Sequence, residues 1–173
     1  MLLAVSLFIF TFLLTCFFGY AFHRFLHTPR AGRWYRNHLA HHQKLYPAHD
    51  FTSDKYRDAG KDDSTIIFVM GGAPLLLLPI VLWLCGVFGI WLALGLVVEI
   101  LLIGGINGFL HDSFHITNHW IGKIGGKGYN KLVELHYFHH LDMRTNFSIF
   151  MFLFDRLFRT YKTKLLSSPR QFT

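Results

Sequence analysis

Ten of the twelve histidines fall into four short clusters. His23 and His27 are spaced H-x-x-x-H, and His111 and His115 repeat that spacing; His38, His41 and His42 read H-x-x-H-H, as do His136, His139 and His140. On a helix, residues i and i+4 point the same way, and i, i+3 and i+4 share a face. Imidazole is a ligand for iron, zinc, copper or nickel, and two imidazoles on one helical face can grip one ion. Ten ligands exceed what one first-row ion accepts. The economical reading is two metals, each with four or five imidazoles and an open position for oxygen, water or substrate. His49 and His119 lie outside the repeats and are expected not to bind metal.

The elements that must position these clusters are strongly apolar. Of the 173 residues 52% are hydrophobic and 16% charged, against roughly 25% charged in an average soluble domain, which argues against a freely soluble enzyme. Residues 2–22 carry no charge and are long enough to cross the hydrocarbon core as a helix. They lack the basic start and small-residue cleavage site of a signal peptide. A second apolar region, residues 66–110, is broken at Cys85-Gly86-Val87 and reads as a hairpin of two spans, about 66–84 and 88–110. Asp63, Ser64 or Thr65 would cap its start, and Pro74 and Pro79 are expected to kink the first arm. Cys16 and Cys85 sit in apolar runs and read as packing residues.

The expected fold is therefore all-α: one integral-membrane domain over residues 1–173, with about three long transmembrane helices. A cytoplasmic helical cap, from segments 23–63 and 111–173, would carry the dinuclear metal site. Its elements are expected to be a short helix over 32–43, a helix over 130–141 and, over 146–160, either an amphipathic helix lying at the membrane surface or a helix packed against the other cytosolic segments. Arg24 to Lys61 hold eight basic residues and Lys123 to Arg170 nine, all seventeen of the chain. The positive-inside rule puts both segments in the cytoplasm, with the N-terminus and the Cys85-Gly86 turn outside. The basic charge flanks spans and accompanies no nucleic-acid motif, so lipid headgroups or an acidic protein donor are the expected partners and nucleic acid is not.

Ligating imidazoles usually donate their second N–H to a carboxylate or carbonyl, which makes Asp112, Glu134, Asp142 and Asp155 candidates for that support. Asn107 lies one turn before His111 on the same face. Gly104, Gly105 and Gly108 present a small face that suits close packing or a slot for an acyl chain. Glu99 is an intramembrane carboxylate about 18 Å of helix from His111, a candidate for the polar end of a substrate tunnel. H-E-x-x-H is absent, which disfavours a zinc hydrolase. A transporter would place ligands near the bilayer midplane, and a bis-histidine haem needs single histidines on two helices rather than pairs and triplets.

The ordered motifs HRFLH, HLAHH, HDSFH and HYFHH resemble those of the fatty acid hydroxylase superfamily, also called the sterol desaturase family. The endings Asn146-Phe147-Ser148 and Asp155-Arg156-Leu157-Phe158-Arg159-Thr160 are similar to the family's Asn-aromatic-Gly and Asp-Arg-Leu-Phe-Gly-Thr, with Ser148 and Arg159 in place of glycines. The resemblance implies an integral-membrane di-iron oxygenase holding two iron ions, for which zinc can substitute on purification. It would use O2 and two electrons from an external reductant such as a ferredoxin or a cytochrome b-type protein to hydroxylate a lipid C–H bond. Lipid or sterol desaturation is the nearest alternative. Carotenoid hydroxylation ranks lower, because that branch usually carries four residues between the paired histidines of the first and third motifs and this chain has three.

Overall fold

A computed structural model describes residues 2–57 and 64–164, with backbone alone for 64–67. Every regular element in it is helical: α1 (Leu2–Leu26), α2 (Arg33–Ala40), α3 (Ser64–Gly72), α4 (Leu77–Leu84), α5 (Ile90–Ser113), α6 (Trp120–Leu141) and α7 (Leu153–Leu157). The all-α class agrees with the sequence reading.

Among the described residues two helices, α1 and α5, are long and apolar enough to cross a membrane. The residues α1 buries against the protein are Thr15, Cys16, Tyr20, His23 and Leu26, whereas Leu3, Ile9 and Phe10 point outward. This inside-out polarity is that of a helix whose outer solvent is hydrocarbon, since a monomeric soluble protein rarely exposes so large an apolar face. α5 repeats the pattern with Trp91, Val98 and Leu102 exposed and Asn107 and His111 buried.

The expected span over 66–84 is not a third long helix. It is α3, a 3₁₀ stretch over Ala73–Leu76 and α4. Pro74 stands at the start of the 3₁₀ stretch, as expected of a residue that lacks the N–H an α-helix would use. Helix α3 begins at Ser64, so the capping candidate Asp63 lies outside the described residues, as do the side chains of Ser64 and Thr65. The α4–α5 turn falls at Cys85-Gly86, where Gly86 takes φ +73°.

α5 is the central helix, packed most extensively on α3 and then on α1. Gly104 makes the α3 approach possible: a Cβ there would lie 3.1 Å from Val69 Cα. Phe8 meets Gly95, Gly19 meets Asn107, and the rings of His23 and His111 lie 6.4 Å apart, so α1 and α5 run parallel and bring their histidine ends together.

Beyond the spans, two differences from expectation matter. Helix α6 starts ten residues before the predicted Asn130, at Trp120, and contains a non-helical break at Gly126 with φ +51°. More consequentially, residues 146–160 form neither an amphipathic surface helix nor one continuous packing helix. Only Leu153–Leu157 is helical, and Asn146, Phe147, Ser148, Ile149 and Asp155 are buried. The apolar density of this stretch serves packing beneath the spans, with Phe147 and Phe154 set against Tyr20.

Candidate metal centre

Each histidine pair stays together, and each triplet is divided. His23 and His27 from α1 join His38, His42 and His139 in a group of five; His111 and His115 from α5 join His41 and His136 in a group of four. His140 meets His41 and His42 in a third group that links the two. Within each group one ring nitrogen per residue lies within 4.8 Å of all the others. All ten clustered histidines are thus brought together, and His49 and His119 belong to none of the groups. His49 is exposed, and His119 accepts the Ile121 N–H at the start of α6.

The division of the triplets was not anticipated from the shared helical face. Consecutive residues differ by about 100° around a helix axis, so neighbouring histidines can address two sites. In the first triplet the chain also leaves α-geometry, running as a π-turn over His41–Leu45. His38 and His42 go one way and His41 the other; in the second, His139 joins the group of five and His136 the group of four.

The spacing of the nitrogens suits metal. His38 Nε2 lies 3.0 Å from the Nε2 atoms of both His23 and His27 and 3.2 Å from that of His42. His27 and His139 meet at 3.1 Å, and His115 and His136 at 3.3 Å. Two imidazoles bound to one ion at about 2.1 Å and at angles between square and tetrahedral have nitrogens roughly 3.0–3.4 Å apart. The Nε2 atoms of His111 and His140 are buried without a hydrogen-bond partner. Unpaired buried polar atoms are costly, and a bound cation would satisfy them.

Four of the second ring nitrogens are held by backbone carbonyls. His23 Nδ1 donates to Phe147 O and His139 Nδ1 to Thr145 O, both at 2.6 Å. His140 Nδ1 donates to Tyr46 O at 2.8 Å and His115 Nδ1 to Phe51 O at 3.0 Å. These contacts fix ring orientation and leave Nε2 as the lone-pair nitrogen. Burial, reinforced by neighbouring imidazoles, pushes the pKa of His38, His41, His42, His115, His136 and His139 well below the usual imidazole range. Burial lowers His27 to about 4 and, with His111 beside it, His140 to about 3. Neutral rings are the form that binds metal.

Of the predicted supporting carboxylates, Asp112 alone comes near an imidazole, 3.5 Å from His111 Nδ1. Glu134 is half-exposed and paired with Lys131. Asp142 pairs with Arg144 and Lys162 just past α6. Asp155 is fully buried one layer further out, where its carboxylate accepts the N–H groups of Phe147 and Ser148 and the Thr160 hydroxyl. Asn107 donates to Ile103 O within α5 rather than to a histidine. Gly104 is filled against α3, Gly105 has nothing within 4 Å of its Cβ position, and Gly108 is buried. Glu99 is half-buried, with Oε2 unpartnered.

Sequence reasoning missed the carbonyl acceptors at Tyr46, Phe51, Thr145 and Phe147, because a backbone group leaves no trace in residue type. It singled out Asn146 through the Asn-aromatic ending but gave it no role; the side chain clasps Leu135 O and the backbone of Lys162. An Asn followed by an aromatic after the last cluster was the available signal: at φ +50° it occupies the region Asn tolerates best among non-glycine residues.

Fold and site together define a helical membrane protein with a buried, all-histidine core able to hold metal. The fatty acid hydroxylase family profile matches residues 8–160, and the chain belongs to that family. No curated protein and no solved structure matches it.

Proposed function

We propose that this chain is a di-iron monooxygenase that hydroxylates a C–H bond in a lipid chain. The observation that carries the reading is the paired arrangement of imidazole nitrogens at ligand spacing, directly beneath two apolar helices. The five-histidine group would hold one iron and the four-histidine group the other, with His140 available between them. Iron supplies oxygen activation when bound; the chain supplies ligand placement, ring orientation and exclusion of water. The balanced reaction is R–H + O2 + 2 e⁻ + 2 H⁺ → R–OH + H2O, with the electrons delivered by an external ferredoxin or cytochrome b-type protein.

Neutral imidazoles in both groups favour a divalent or trivalent cation without a carboxylate bridge: among the described residues no Asp or Glu belongs to either group. Iron, rather than the zinc such nitrogen sites also accept, follows from the redox chemistry of the family.

The test is metal analysis and turnover on the full chain in detergent or bilayers. Two irons per chain, O2 uptake dependent on reductant, and one atom of labelled O2 in a lipid alcohol are expected. Alanine at any of the ten clustered histidines should abolish turnover, while His49→Ala should not. A single metal per chain would refute the dinuclear reading, and an alkene product would move the reaction to desaturation.

A further inference from the structure

We propose that Tyr46 and Tyr56 form a one-electron discharge path from the four-histidine group to the protein surface, which quenches metals that have reacted with O2 when no lipid is in reach. The inference rests on the oxygenase reading above and adds to it a protective role for two residues that the reaction itself does not need.

The rings around the histidines are of one kind, with one exception. Among the described residues, the clustered histidines make ring contacts outside their own groups with Phe51, Phe68, Phe114 and Phe147, and with Tyr46. Phenylalanine is too hard to oxidise to pass on an electron, whereas a phenol gives one up together with its hydroxyl proton. The exception stands against the group of four. The Tyr46 ring stacks on His115 with centroids 4.0 Å apart and planes 18° from parallel, and lies 4.8 Å from the His41 ring. Aromatic pairs ordinarily sit about 4.5–7 Å apart, so the His115 contact is a close one. Tyr46 is also fixed through its backbone: its N–H donates to His41 O at 2.9 Å, and its carbonyl accepts the His140 Nδ1 proton.

Tyr46 is buried, and one more ring leads outward from it. Tyr56 lies 4.6 Å from Tyr46, edge to face. It is half-buried, its hydroxyl donates to Asp50 O at 2.7 Å, and the exposed Lys55 sits over its ring at 4.9 Å. Three rings in contact thus run from His115 to the protein surface. The other side of the centre explains what such a path would protect. Phe68 and Phe147, which touch His23, line a crevice with Cys16 and Met151, and both sulfurs are oxidisable. An oxidant left at the metals therefore has vulnerable neighbours one ring away.

In each pass one electron moves from Tyr56 through the Tyr46 ring and His115 to the oxidised metal group, which is reduced by one. The Tyr56 O–H bond breaks and its proton goes to water. A thiol or ascorbate at the surface then returns one electron and one proton to the Tyr56 oxygen and is itself oxidised. Tyr46 ends each pass unchanged, and a second pass removes a second oxidising equivalent.

The test uses the full, iron-loaded chain in detergent, reduced and then exposed to O2 without lipid substrate. It is read by electron paramagnetic resonance of frozen samples and by peptide mass spectrometry. The wild type should show a tyrosyl radical whose signal narrows when tyrosine is supplied deuterated. Tyr46→Phe should lose it, and Tyr56→Phe should show none that a water-soluble spin trap can reach, since both variants keep the ring and remove the phenol. For equal O2 consumed, oxygen adducts on Cys16, Met151 and the His115 peptide should rise several-fold in both variants. Should Tyr46→Phe lose its metals, Tyr56→Phe decides, because its ring contact is with Tyr46. O2 uptake by the wild type without a tyrosyl radical, or variants oxidised no more than the wild type, overturns the path. So does slower reduction of the resting metals by their donor in Tyr56→Phe with unchanged adducts, which would make the pair an entry for electrons. An iron-loaded wild type that takes up no O2 overturns the oxygenase reading and the path together, a result distinct from the others.

Discussion

Asp155 and His23 never touch, yet one bend ties them: the Asp155 carboxylate accepts the Phe147 N–H at 2.8 Å, and the Phe147 carbonyl accepts the His23 Nδ1 proton at 2.6 Å. The same bend carries Thr145, whose carbonyl holds His139, so one carboxylate supports two members of the five-histidine group. The group of four leans elsewhere, with His115 held by Phe51 O. Asp155→Asn keeps the shape but places an amide N–H against one of two backbone donors. Metal affinity of the five-histidine group should fall about 10- to 100-fold while the other group is spared. Metal content during stepwise chelation, with iron spectroscopy of what remains, measures this. Equal loss from both groups would mean that Asp155 supports the fold as a whole.

Acid should loosen the metal-free protein in a definite window. Burial holds His27 at about 4 and His140, beside His111, at about 3, against about 6.5 in an unfolded chain. Between those values the unfolded chain binds more protons than the folded one, so stability rises with pH. The contribution is fully present above about 6.5 and is lost as pH falls through the folded values. For His27 alone the shift corresponds to roughly 3 kcal/mol. Chemical unfolding in detergent from pH 8 to 4 should show a monotonic fall beginning near pH 6.5. A flat profile would contradict burial of uncharged imidazoles.

Much of the fold was legible because its signals are local. Apolar runs gave α1 and α5, and histidine spacing gave the members of the metal centre. What escaped depended on partners distant in sequence. The fate of residues 146–160 is the clearest case: Phe147, Ile149 and Phe154 look like the apolar face of a surface helix, but Asn146 and Asp155 spend their hydrogen bonds closing a loop. Periodicity cannot distinguish a helix face from a loop that packs inward. The splitting of each triplet was hidden for a related reason, since a shared face does not say how many sites it meets.

Arg159 offers a stability test of that loop. It takes φ +60°, a conformation that costs a residue with a Cβ about 1–2 kcal/mol, and it stands where the resembling motif has glycine. Ser148, the other replacement, is not among the positive-φ residues. Arg159→Gly should therefore stabilise the protein by about 0.5–1 kcal/mol, once the greater freedom of glycine in the unfolded chain is offset. Thermal unfolding in detergent reads the gain. A destabilised variant would show that the arginine side chain contributes more than its backbone costs.

Orientation in the membrane is tested through cysteines, one of them native. Cys85 is exposed in the α4–α5 turn, whereas Cys16 is buried, so a membrane-impermeant thiol reagent has one accessible target in the wild type. In sequence, all seventeen basic residues fall in the two segments that carry the histidines, 23–63 and 111–173, and positive charge is retained on the cytoplasmic side. Sealed cells should accordingly label Cys85 from outside. In a Cys85→Ser background, Lys44→Cys and Lys164→Cys, both exposed positions, should react only after permeabilisation. The reverse pattern would place the metal centre on the outer face, out of reach of cytoplasmic electron donors, and would require the reductant in the proposed reaction to come from outside. Labelling of Cys85 and Lys44→Cys from the same side would instead mean that α3 to α4 does not traverse the bilayer, because the turn and the histidine end would then share one compartment.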